Sequence, residues 1–341
     1  MYLMVLENLL PQKENYIFRN KMIKKINKFF HPKLRTLIYF VTTKCTLKCK
    51  HCFYTNELNK NIQELALDEI EKIASNLPYL ELLQLSGGEP FMRNDIVEIL
   101  EIFFRRGLKK ATIPTNGFFT EQTVKKVKEM LDKKLNIQIM ISIDGDKELH
   151  NKIRGRDCFD NALKTFDELK KLEVNVGFNV TLSKLNYNYF IELLTFLRKR
   201  TNNIDAILVR AKPNVMLSSE EFKKIIPEVE KITSRQLTPF YKKRKQMLNE
   251  IYSNVLKGKC VPYKCYAGEI IAVLEPDGQV RACEIFNKLG NVRDYNYDIN
   301  EILKLKKIPE RCKNCIHPCF IGPSMSYSAK WLLKNIIYQY V

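Results

Sequence analysis

The sequence has no uninterrupted apolar run of about 18 residues, the length at which a segment is interpreted as a membrane-spanning helix. It therefore predicts no transmembrane helix. The N-terminus is apolar but lacks a basic leader and a small-residue cleavage site, so we do not interpret it as a signal peptide. Internal repeats and low-complexity tracts are also absent. We therefore expect a globular, cytoplasmic protein of one large or two smaller domains within its 341 residues.

Acidic residues are scarce, since 38 Asp and Glu oppose 57 Lys and Arg and the formal net charge is +19. Such a charge favours an anionic partner: nucleic acid, a membrane surface or a phosphorylated substrate. A lysine-rich proteome, as in some heat-adapted organisms, explains many lysines but not their excess over acids. Nucleic acid is disfavoured because the sequence contains no nucleic-acid-binding motif.

The two ends of the chain are basic and apolar. Residues 15–56 contain ten Lys or Arg and no acid, and an apolar stripe at helical spacing runs from Phe18 to Phe30. The C-terminal WLLKNIIYQYV also lacks acids. We predict a basic amphipathic segment at 1–34 and an apolar tail at 323–341. Either helices on an anionic membrane surface or helices packed against the protein core would produce this pattern.

Ten cysteines are many for an intracellular enzyme, and nine of them lie in two groups, at 45–52 and 260–319. Disulfide-rich scaffolds are typically short and secreted. Clustering at short spacing in a long chain favours metal ligation instead. The tenth, Cys158, is isolated, and we interpret it as a small buried apolar side chain.

Apolar strand patterns alternate with amphipathic helical patterns between residues 35 and 215. Alternation of this kind predicts parallel βα units with right-handed crossovers, here a partial (β/α)6 TIM-like barrel in an α/β fold. The predicted strands are Thr36–Thr43, Leu82–Ser86, Ala111–Pro114, Ile137–Ile143, Val174–Thr181 and Ala206–Val209. The predicted helices span about 67–77, 94–106, 120–134, 159–172 and 187–200.

Two further regions follow the predicted barrel. Residues 216–257 read as a bridge of two charged helices, and 258–322 form a small cysteine-rich extension. Within the extension, two apolar runs flank Pro276-Asp277-Gly278, a combination that favours a tight turn and so predicts a hairpin.

Cys45, Cys49 and Cys52 have the spacing C-x3-C-x2-C directly after the first predicted strand. A structural iron–sulfur cluster normally takes four cysteines. Three cysteines at the C-terminal end of a barrel strand predict a cluster whose fourth iron is open to another ligand. A zinc knuckle is the structural alternative.

Together with Gly87-Gly88-Glu89-Pro90, 35 residues after Cys52, this motif resembles the radical S-adenosylmethionine (SAM) superfamily over residues 36–210. The resemblance implies that one [4Fe–4S] cluster binds SAM and supplies the electron that cleaves it to methionine and a 5′-deoxyadenosyl radical. His51 would lie near the adenine, and Glu89 would accept the SAM ammonium. It also implies an electron donor such as ferredoxin or flavodoxin.

Further polar residues follow the third and fourth predicted strands. By the same resemblance, Asn116, Ser142 and Asp144 would contact the SAM ribose or its surroundings, although each type also suits an ordinary turn. Arg154 would pair with the SAM carboxylate through two parallel hydrogen bonds. Arg156, two residues away, is the alternative for this role.

The C-terminal cysteines resemble the SPASM or Twitch extension of radical SAM enzymes. From this resemblance we expect one auxiliary [4Fe–4S] cluster, with Cys260 and Cys319 as spare or alternative ligands. Zinc is the structural alternative. The expected ligands are Cys265, Cys283, Cys312 and Cys315.

Glu284 directly follows Cys283. In some enzymes with this extension, an acidic residue here takes a proton from the substrate radical. A partly desolvated Glu284 would have the raised pKa that a base needs, and an ordinary surface carboxylate is the alternative.

The sequence as a whole resembles an enzyme that abstracts hydrogen from an unreactive C–H bond of a peptide, sugar or lipid-linked substrate. A radical SAM enzyme of cofactor assembly, similar to the cyclic pyranopterin synthase, is the second hypothesis. The Tyr-Gln-Tyr-Val end, in place of that relative's Gly-Gly tail, counts against it. The third is a metal-stabilised nucleic-acid-binding protein.

Overall fold

The computed structural model describes residues 33–210, 212–234, 237–262, 264–307, 312 and 315–327. The predicted basic helix at 18–30 and the segment WLLKNIIYQYV therefore lie outside the described residues, and their placement remains a prediction. No helix within the described ranges is long and apolar enough to cross a membrane.

Within the described residues, six parallel strands form one side of a nine-stranded sheet, from its edge strand β6 to β1. Their order is β6-β5-β4-β3-β2-β1, so each strand pairs with the strand that precedes it in the chain. This confirms the predicted α/β fold with a parallel sheet. The strands are β1 (Thr36–Thr42), β2 (Leu82–Gly87), β3 (Lys110–Thr115), β4 (Ile137–Ser142), β5 (Asn175–Leu182) and β6 (Ile204–Leu208).

Amphipathic helices connect these strands and cover the sheet, and two more follow β6. The helices after β6 agree with the predicted charged pair. The helices are α1 (Leu67–Ser75), α2 (Ile96–Arg105), α3 (Thr120–Asp132), α4 (Lys147–Arg154), α5 (Phe159–Lys171), α6 (Phe190–Arg198), α7 (Ser219–Thr233) and α8 (Pro239–Val255).

The core lies between the sheet and these helices. Strand β1, TLIYFVT, is buried from Leu37 to Thr42 because elements cover both of its faces. Helix α2 buries six apolar residues along one face, among them Ile99 and Phe103. Phe166 of α5 stacks on Phe178 of β5 with ring centroids 4.2 Å apart. Burial of these stripes positions the carboxyl ends of the strands, where the candidate site lies.

The predicted hairpin is present as β7 (Ile271–Leu274) and β8 (Gln279–Arg281), followed by the short strand β9 (Gly290–Asn291) and α9 (Ile299–Leu303). Its first strand pairs in parallel with β1, from Thr36 opposite Ile271 to Tyr39 opposite Leu274. The hairpin thus extends the main sheet, which the sequence analysis did not anticipate. All four residues of β7 are buried, and pairing with β1 satisfies their backbone groups.

Helix α4 was missed because it is short and strongly polar, KELHNKIR. Signals for it were nevertheless present in the sequence. The Asp146 side chain accepts a hydrogen bond from the Leu149 amide at the N-terminus. Gly155 ends the helix in the left-handed region, with φ of 72°.

Candidate functional site

The three N-terminal cysteines open onto one cavity of about 810 Å³. A cavity of this size accommodates a cofactor or a small substrate. It extends from the loop after β1, along the ends and inner faces of the parallel strands, to α7, α8 and Cys319. Its wall includes most of the residues predicted to bind SAM, namely His51, Gly87, Gly88, Glu89, Pro90, Asn116, Ser142 and Arg154.

The cysteine loop is held from two sides. The amides of Lys48 and Lys50 donate to the carbonyls of Arg154 and Ile153, at 3.2 and 2.9 Å, so the end of α4 supports the loop. On the other side, the Asn59 amide group accepts from the Cys45 N–H at 3.0 Å and donates to the Cys45 carbonyl at 3.1 Å. The loop is therefore fixed by backbone contacts that do not involve its thiols.

The two glycines of Gly87-Gly88-Glu89-Pro90 permit contact with the backbone that leads into the cysteine loop. Gly87 has φ of 113°, and a Cβ there would lie 2.4 Å from the Thr42 carbonyl oxygen. A Cβ on Gly88 would lie 2.1 Å from the Lys44 oxygen. The backbone of Thr42 and Lys44 thus occupies the positions that side chains at Gly87 and Gly88 would take. Both glycines also line the cavity.

Glu89 connects the ends of β2 and β3. Its buried carboxylate accepts hydrogen bonds from the Thr115 hydroxyl at 2.7 Å, the Asn116 amide at 2.8 Å and the Phe91 amide at 3.2 Å. Burial raises the pKa of Glu89, although these donors oppose that shift. A carboxylate has about four acceptor sites, so one remains for a donor in the cavity.

Asn116 and His51 each present a buried nitrogen to this region. The Asn116 side-chain oxygen accepts from the Phe118 amide at 2.8 Å, while its Nδ2 has no partner among the described residues. The Nδ1 of His51 is likewise buried without a described partner, and its Nε2 lies 3.6 Å from Asp144. Unpaired buried polar atoms are costly, so these nitrogens suit contact with a bound group.

Arg154 lies where the sequence places it, beside the cavity, but its guanidinium is already engaged. It is 2.5 Å from Asp144 and 3.8 Å from the Cys49 sulfur. Burial of Asp144 opposes its ionisation, but Arg154, His51, His150 and the Thr181 amide together outweigh burial and lower the pKa of Asp144. The alternative, Arg156, is exposed and stacks on Phe118 with its guanidinium 4.0 Å from the ring centroid.

Asp144 is completely buried and organises several elements. Its carboxylate accepts from the Thr181 amide at 3.0 Å, and its own amide donates to His150 at 3.2 Å. Cys158 is also fully buried, as predicted, and its sulfur lies 3.3 Å from the other ring nitrogen of His150. This contact with His150 was not predictable from the local sequence pattern.

The buried thiols of the loop are suited to binding a metal cluster. Burial raises the pKa of Cys45 to about 12 and also raises that of Cys49. Such thiols are neutral at pH 7 unless a metal displaces their protons. Three thiols and the unpaired polar atoms beside them share one cavity, so the residues fit an iron–sulfur cluster with SAM.

The second cysteine set gathers beneath the hairpin. The electrostatic surroundings of Cys283 include Cys315, Cys265 and Cys312, which shows that the four predicted auxiliary ligands lie near one another. Burial raises the pKa of Cys283 to about 12. The fit to a cluster bound by four cysteines is therefore good.

Cys260 and Cys319, which the sequence left as spare or alternative ligands, lie in different surroundings. Cys260 is exposed. Cys319 lines the cavity, and its electrostatic neighbours are Arg210, Glu284 and Asp205 rather than the other cysteines.

One apolar cluster contacts cysteines of both sets. Phe40, Phe53 and Tyr54 pack as a group, and the Phe40 and Tyr54 rings meet edge to face at 4.7 Å. Ile271 and Phe320 belong to the same buried cluster, which Cys52, Cys265 and Cys319 border. The two cysteine sets are therefore linked by apolar packing.

Glu284 lies in the cavity wall within a buried, charge-paired group. Arg210 contacts its carboxylate at 2.9 and 3.1 Å, and His317 lies 2.6 Å away. The expected raised pKa is wrong: burial favours it, but Arg210 and His317 outweigh burial and lower the pKa of Glu284. Arg210 also stacks on Phe53 and lies close enough to Cys52 for electrostatic interaction.

Arg210 and His317 were not singled out from the sequence. Isolated basic residues carry no periodic or spacing signal, although His317 lies between two cysteines. Ligand atoms of Glu284, His317 and Cys319 lie within 4.8 Å of one another, a geometry that could hold a metal ion. The Arg210 guanidinium disfavours a metal there because it already neutralises the carboxylate and would repel a second cation.

Residues 39–197 match the family described as "Radical SAM superfamily". These residues therefore form a radical SAM domain. The chain is accordingly an enzyme that uses SAM and iron–sulfur clusters, and its cysteine-rich C-terminal region fits an auxiliary cluster.

Among sequence relatives of this radical SAM chain, Fe-coproporphyrin III synthase of Methanosarcina barkeri is 29% identical over 49% of this chain and 41% of its own length. The AdoMet-dependent heme synthase of Oleidesulfovibrio alaskensis is 24% identical over 78% of this chain and 74% of its length. A probable GTP 3′,8-cyclase of Methanocaldococcus jannaschii is 29% identical over 47% and 51%, respectively. The chain thus spans about half the length of the first and third.

Two solved structures share the fold of this radical SAM chain. The AdoMet-bound structure of native anSMEcpe is 20% identical, with a TM-score of 0.57 over 83% of this chain and 86% of that one. Streptococcus suis SuiB bound to S-adenosylmethionine is 18% identical, with a TM-score of 0.58 over 84% and 71%. At this identity the likeness concerns the fold.

Proposed function

We propose that the chain binds SAM in the 810 Å³ cavity, cleaves it reductively, and abstracts hydrogen from an unreactive C–H bond of a substrate in the same cavity. One observation carries this proposal: a single cavity is lined by the C-x3-C-x2-C thiols, by the Gly87–Pro90 loop, and by Glu284 and Cys319 of the extension. When bound, the cluster supplies the electron that cleaves SAM, and the 5′-deoxyadenosyl radical abstracts the hydrogen.

The proposed roles of the chain's residues follow from their contacts. Cys45, Cys49 and Cys52 would hold the cluster, which would bind SAM through its remaining iron. Glu89 offers its remaining acceptor site to the N–H of the SAM amino group and fixes Asn116, whose free Nδ2 donates to the ligand.

The other residues predicted to touch SAM complete this site. Ser142 lines the cavity near the expected ribose, and His51 lies near the adenine. Arg154 keeps Asp144 ionised, and reorientation of its guanidinium toward the SAM carboxylate would exchange one anionic partner for another.

Cys265, Cys283, Cys312 and Cys315 are the proposed ligands of one auxiliary [4Fe–4S] cluster, which would accept an electron from the substrate. Glu284 is the proposed proton acceptor because it is anionic and lines the cavity. Arg210 and His317 make it a weaker base than the sequence suggested, which suits a strongly acidic substrate radical.

The substrate class is open between two groups. A peptide, sugar or lipid-linked substrate is our first proposal, and SuiB bound to its precursor peptide shares the fold at 17% identity and a TM-score of 0.59. Cofactor assembly is the second, and sequence relatives named heme synthase and GTP 3′,8-cyclase favour it. The lipid-linked option depends on the basic ends, which the structure does not describe. The nucleic-acid-binding hypothesis gains no support.

The reductive cleavage of SAM is tested with anaerobically reconstituted protein and dithionite. Release of 5′-deoxyadenosine from SAM is expected even without substrate, and Cys49→Ser should abolish it. Candidate precursor peptides, tetrapyrroles and GTP are then supplied in deuterated form. Deuterium appearing in 5′-deoxyadenosine with only one of them identifies the substrate group. No 5′-deoxyadenosine from iron-loaded protein would overturn the proposal.

A further inference from the structure

The loop that carries the first three cysteines has two chemically different faces. The cysteines face the cavity, whereas Lys44, Lys48 and Lys50 are exposed and do not line it. Each of these lysines directly neighbours a cysteine in the chain, so its Cα lies about 3.8 Å from that of a proposed cluster ligand. The outer face of the cluster site is therefore positively charged.

These three charges are not neutralised locally. The carboxylates around the loop are engaged elsewhere: Glu57 with Lys60 at 3.1 Å, and Glu64 with Arg93 at 2.9 Å. Asp144 is buried behind the loop and paired with Arg154. No described carboxylate forms an ion pair with Lys44, Lys48 or Lys50, whereas many surface lysines of this chain, such as Lys109, do have such a partner.

Three like charges at positions 44, 48 and 50 of one loop repel one another, and without a partner they bring no stability to the fold. They do create a positive potential directly over the cluster site. Potentials of this kind steer an oppositely charged partner to one place and raise its association rate by about 10- to 1,000-fold at low ionic strength. Electron-transfer complexes have small interfaces and bind weakly, so a docking surface of three lysines suits them.

We propose that Lys44, Lys48 and Lys50 form the docking surface for an acidic one-electron carrier protein. This inference rests on the proposed function, in which each reductive cleavage of SAM consumes one electron from outside. The substrate enters the cavity on the inner face of the loop, so the outer face remains open to the carrier. One electron passes from the carrier to the cluster, which oxidises the carrier by one electron.

The test compares two reductants on the reconstituted full chain. One is dithionite, and the other is an acidic flavodoxin reduced photochemically. The variant is Lys44→Gln/Lys48→Gln/Lys50→Gln. The matched control is Lys125→Gln/Lys128→Gln/Lys164→Gln, which removes the same charge from exposed lysines of α3 and α5. The rate of 5′-deoxyadenosine formation is measured at low and high salt, together with iron content.

With flavodoxin at low salt, the loop variant should be about tenfold slower than the wild type or more, and the control variant should not change. With dithionite, all three proteins should react alike. Salt should slow the wild type with flavodoxin but not with dithionite. If the loop variant loses iron, this salt dependence of the wild type still tests the proposal.

Equal flavodoxin rates for the loop variant and the wild type, or equal losses in both variants, would overturn the docking surface. Substitutions that instead abolish binding to anionic vesicles, with flavodoxin reduction unchanged, would assign the surface to a membrane. Failure of dithionite to produce 5′-deoxyadenosine from the wild type would overturn the proposed function itself, so the two failures are distinct.

Discussion

The guanidinium of Arg154 lies 2.5 Å from the carboxylate of Asp144, and both side chains are buried. Asp144 follows β4 and Arg154 ends α4, while the Arg154 carbonyl accepts from Lys48 in the cysteine loop. This one pair therefore joins a strand end, a helix and the proposed cluster loop. It also explains why a residue expected to contact SAM has a structural role.

Arg154→Ala should destabilise the protein by about 3–5 kcal/mol, because it leaves the Asp144 carboxylate buried without its cation. The double variant Arg154→Met/Asp144→Asn should be destabilised much less, since no uncompensated charge remains. Urea unfolding of the reconstituted enzyme measures both. If the double variant binds SAM normally in calorimetry, Arg154 acts through Asp144, and weak binding would instead indicate contact with SAM. Arg156→Ala is the control, since its side chain is exposed.

The iron content should follow the two cysteine sets separately. Wild-type protein should hold about eight irons, and the triple change of Cys45, Cys49 and Cys52 to Ala should leave about four. Cys283→Ala should also lose about four. Cys319→Ala and Cys260→Ala should retain all of them, because neither lies with the second set. Iron and sulfide assays check this, and a chelator that removes the iron should abolish SAM cleavage. Zinc in place of iron would contradict it.

Glu89→Gln should weaken SAM binding and leave the iron content unchanged. The amide can no longer accept on both sides, so at least one of the bonds from Thr115, Asn116 and Phe91 is lost, and the ammonium loses an anionic partner. A hydrogen bond to a charged group contributes about 1.5–3 kcal/mol, roughly a 10- to 150-fold change in Kd. Thr115→Val removes only one neutral donor and should weaken binding less. Calorimetry with iron-loaded proteins distinguishes them, and equal Kd values would exclude this role for Glu89.

Gly87→Ala should be far more damaging than Gly258→Ala, although both glycines have positive φ. A Cβ at Gly87 would collide with the Thr42 oxygen at 2.4 Å, whereas nothing lies within 4 Å of a Cβ at Gly258. Gly258→Ala should cost about 1–2 kcal/mol for the backbone conformation alone. Gly87→Ala should additionally displace the cysteine loop and lower iron retention. Similar melting temperatures for the two variants would show that small backbone shifts remove the collision with little loss of stability.

His150 should make stability depend on pH. Burial, with a further contribution from Arg154, lowers its pKa to about 3, whereas an unfolded histidine titrates near about 6.5. Below about pH 6.5 the unfolded state therefore binds the proton first, and His150 should cost about 1.4 kcal/mol per pH unit. Above that pH its contribution is constant. Unfolding between pH 7.5 and about 5.5 should be less pH-dependent in His150→Gln; an unchanged slope would contradict the assignment.

Much of the fold was predictable because its signals are local. The six parallel strands are rich in apolar residues, and the helices between them have clear apolar stripes, so both appeared within a few residues of their predicted positions. Helix α4 was missed because its eight residues are mostly polar, and only Asp146 and Gly155 marked its ends. The pairing of β7 with β1 was not predictable, since it joins segments more than 200 residues apart through backbone hydrogen bonds.

The sequence by itself determined the chemistry. The spacing of Cys45, Cys49 and Cys52 and the Gly87–Pro90 loop were sufficient to indicate the family, because each of these motifs lies within a short stretch of the chain. The tertiary structure decided which partners each charged side chain has. Glu284 is held by Arg210 and His317, Arg154 by Asp144, and Cys319 faces the cavity instead of the second cysteine set. Charge pairing and burial depend on residues far apart in the chain, and their balance sets each pKa, so only the folded arrangement fixes these roles.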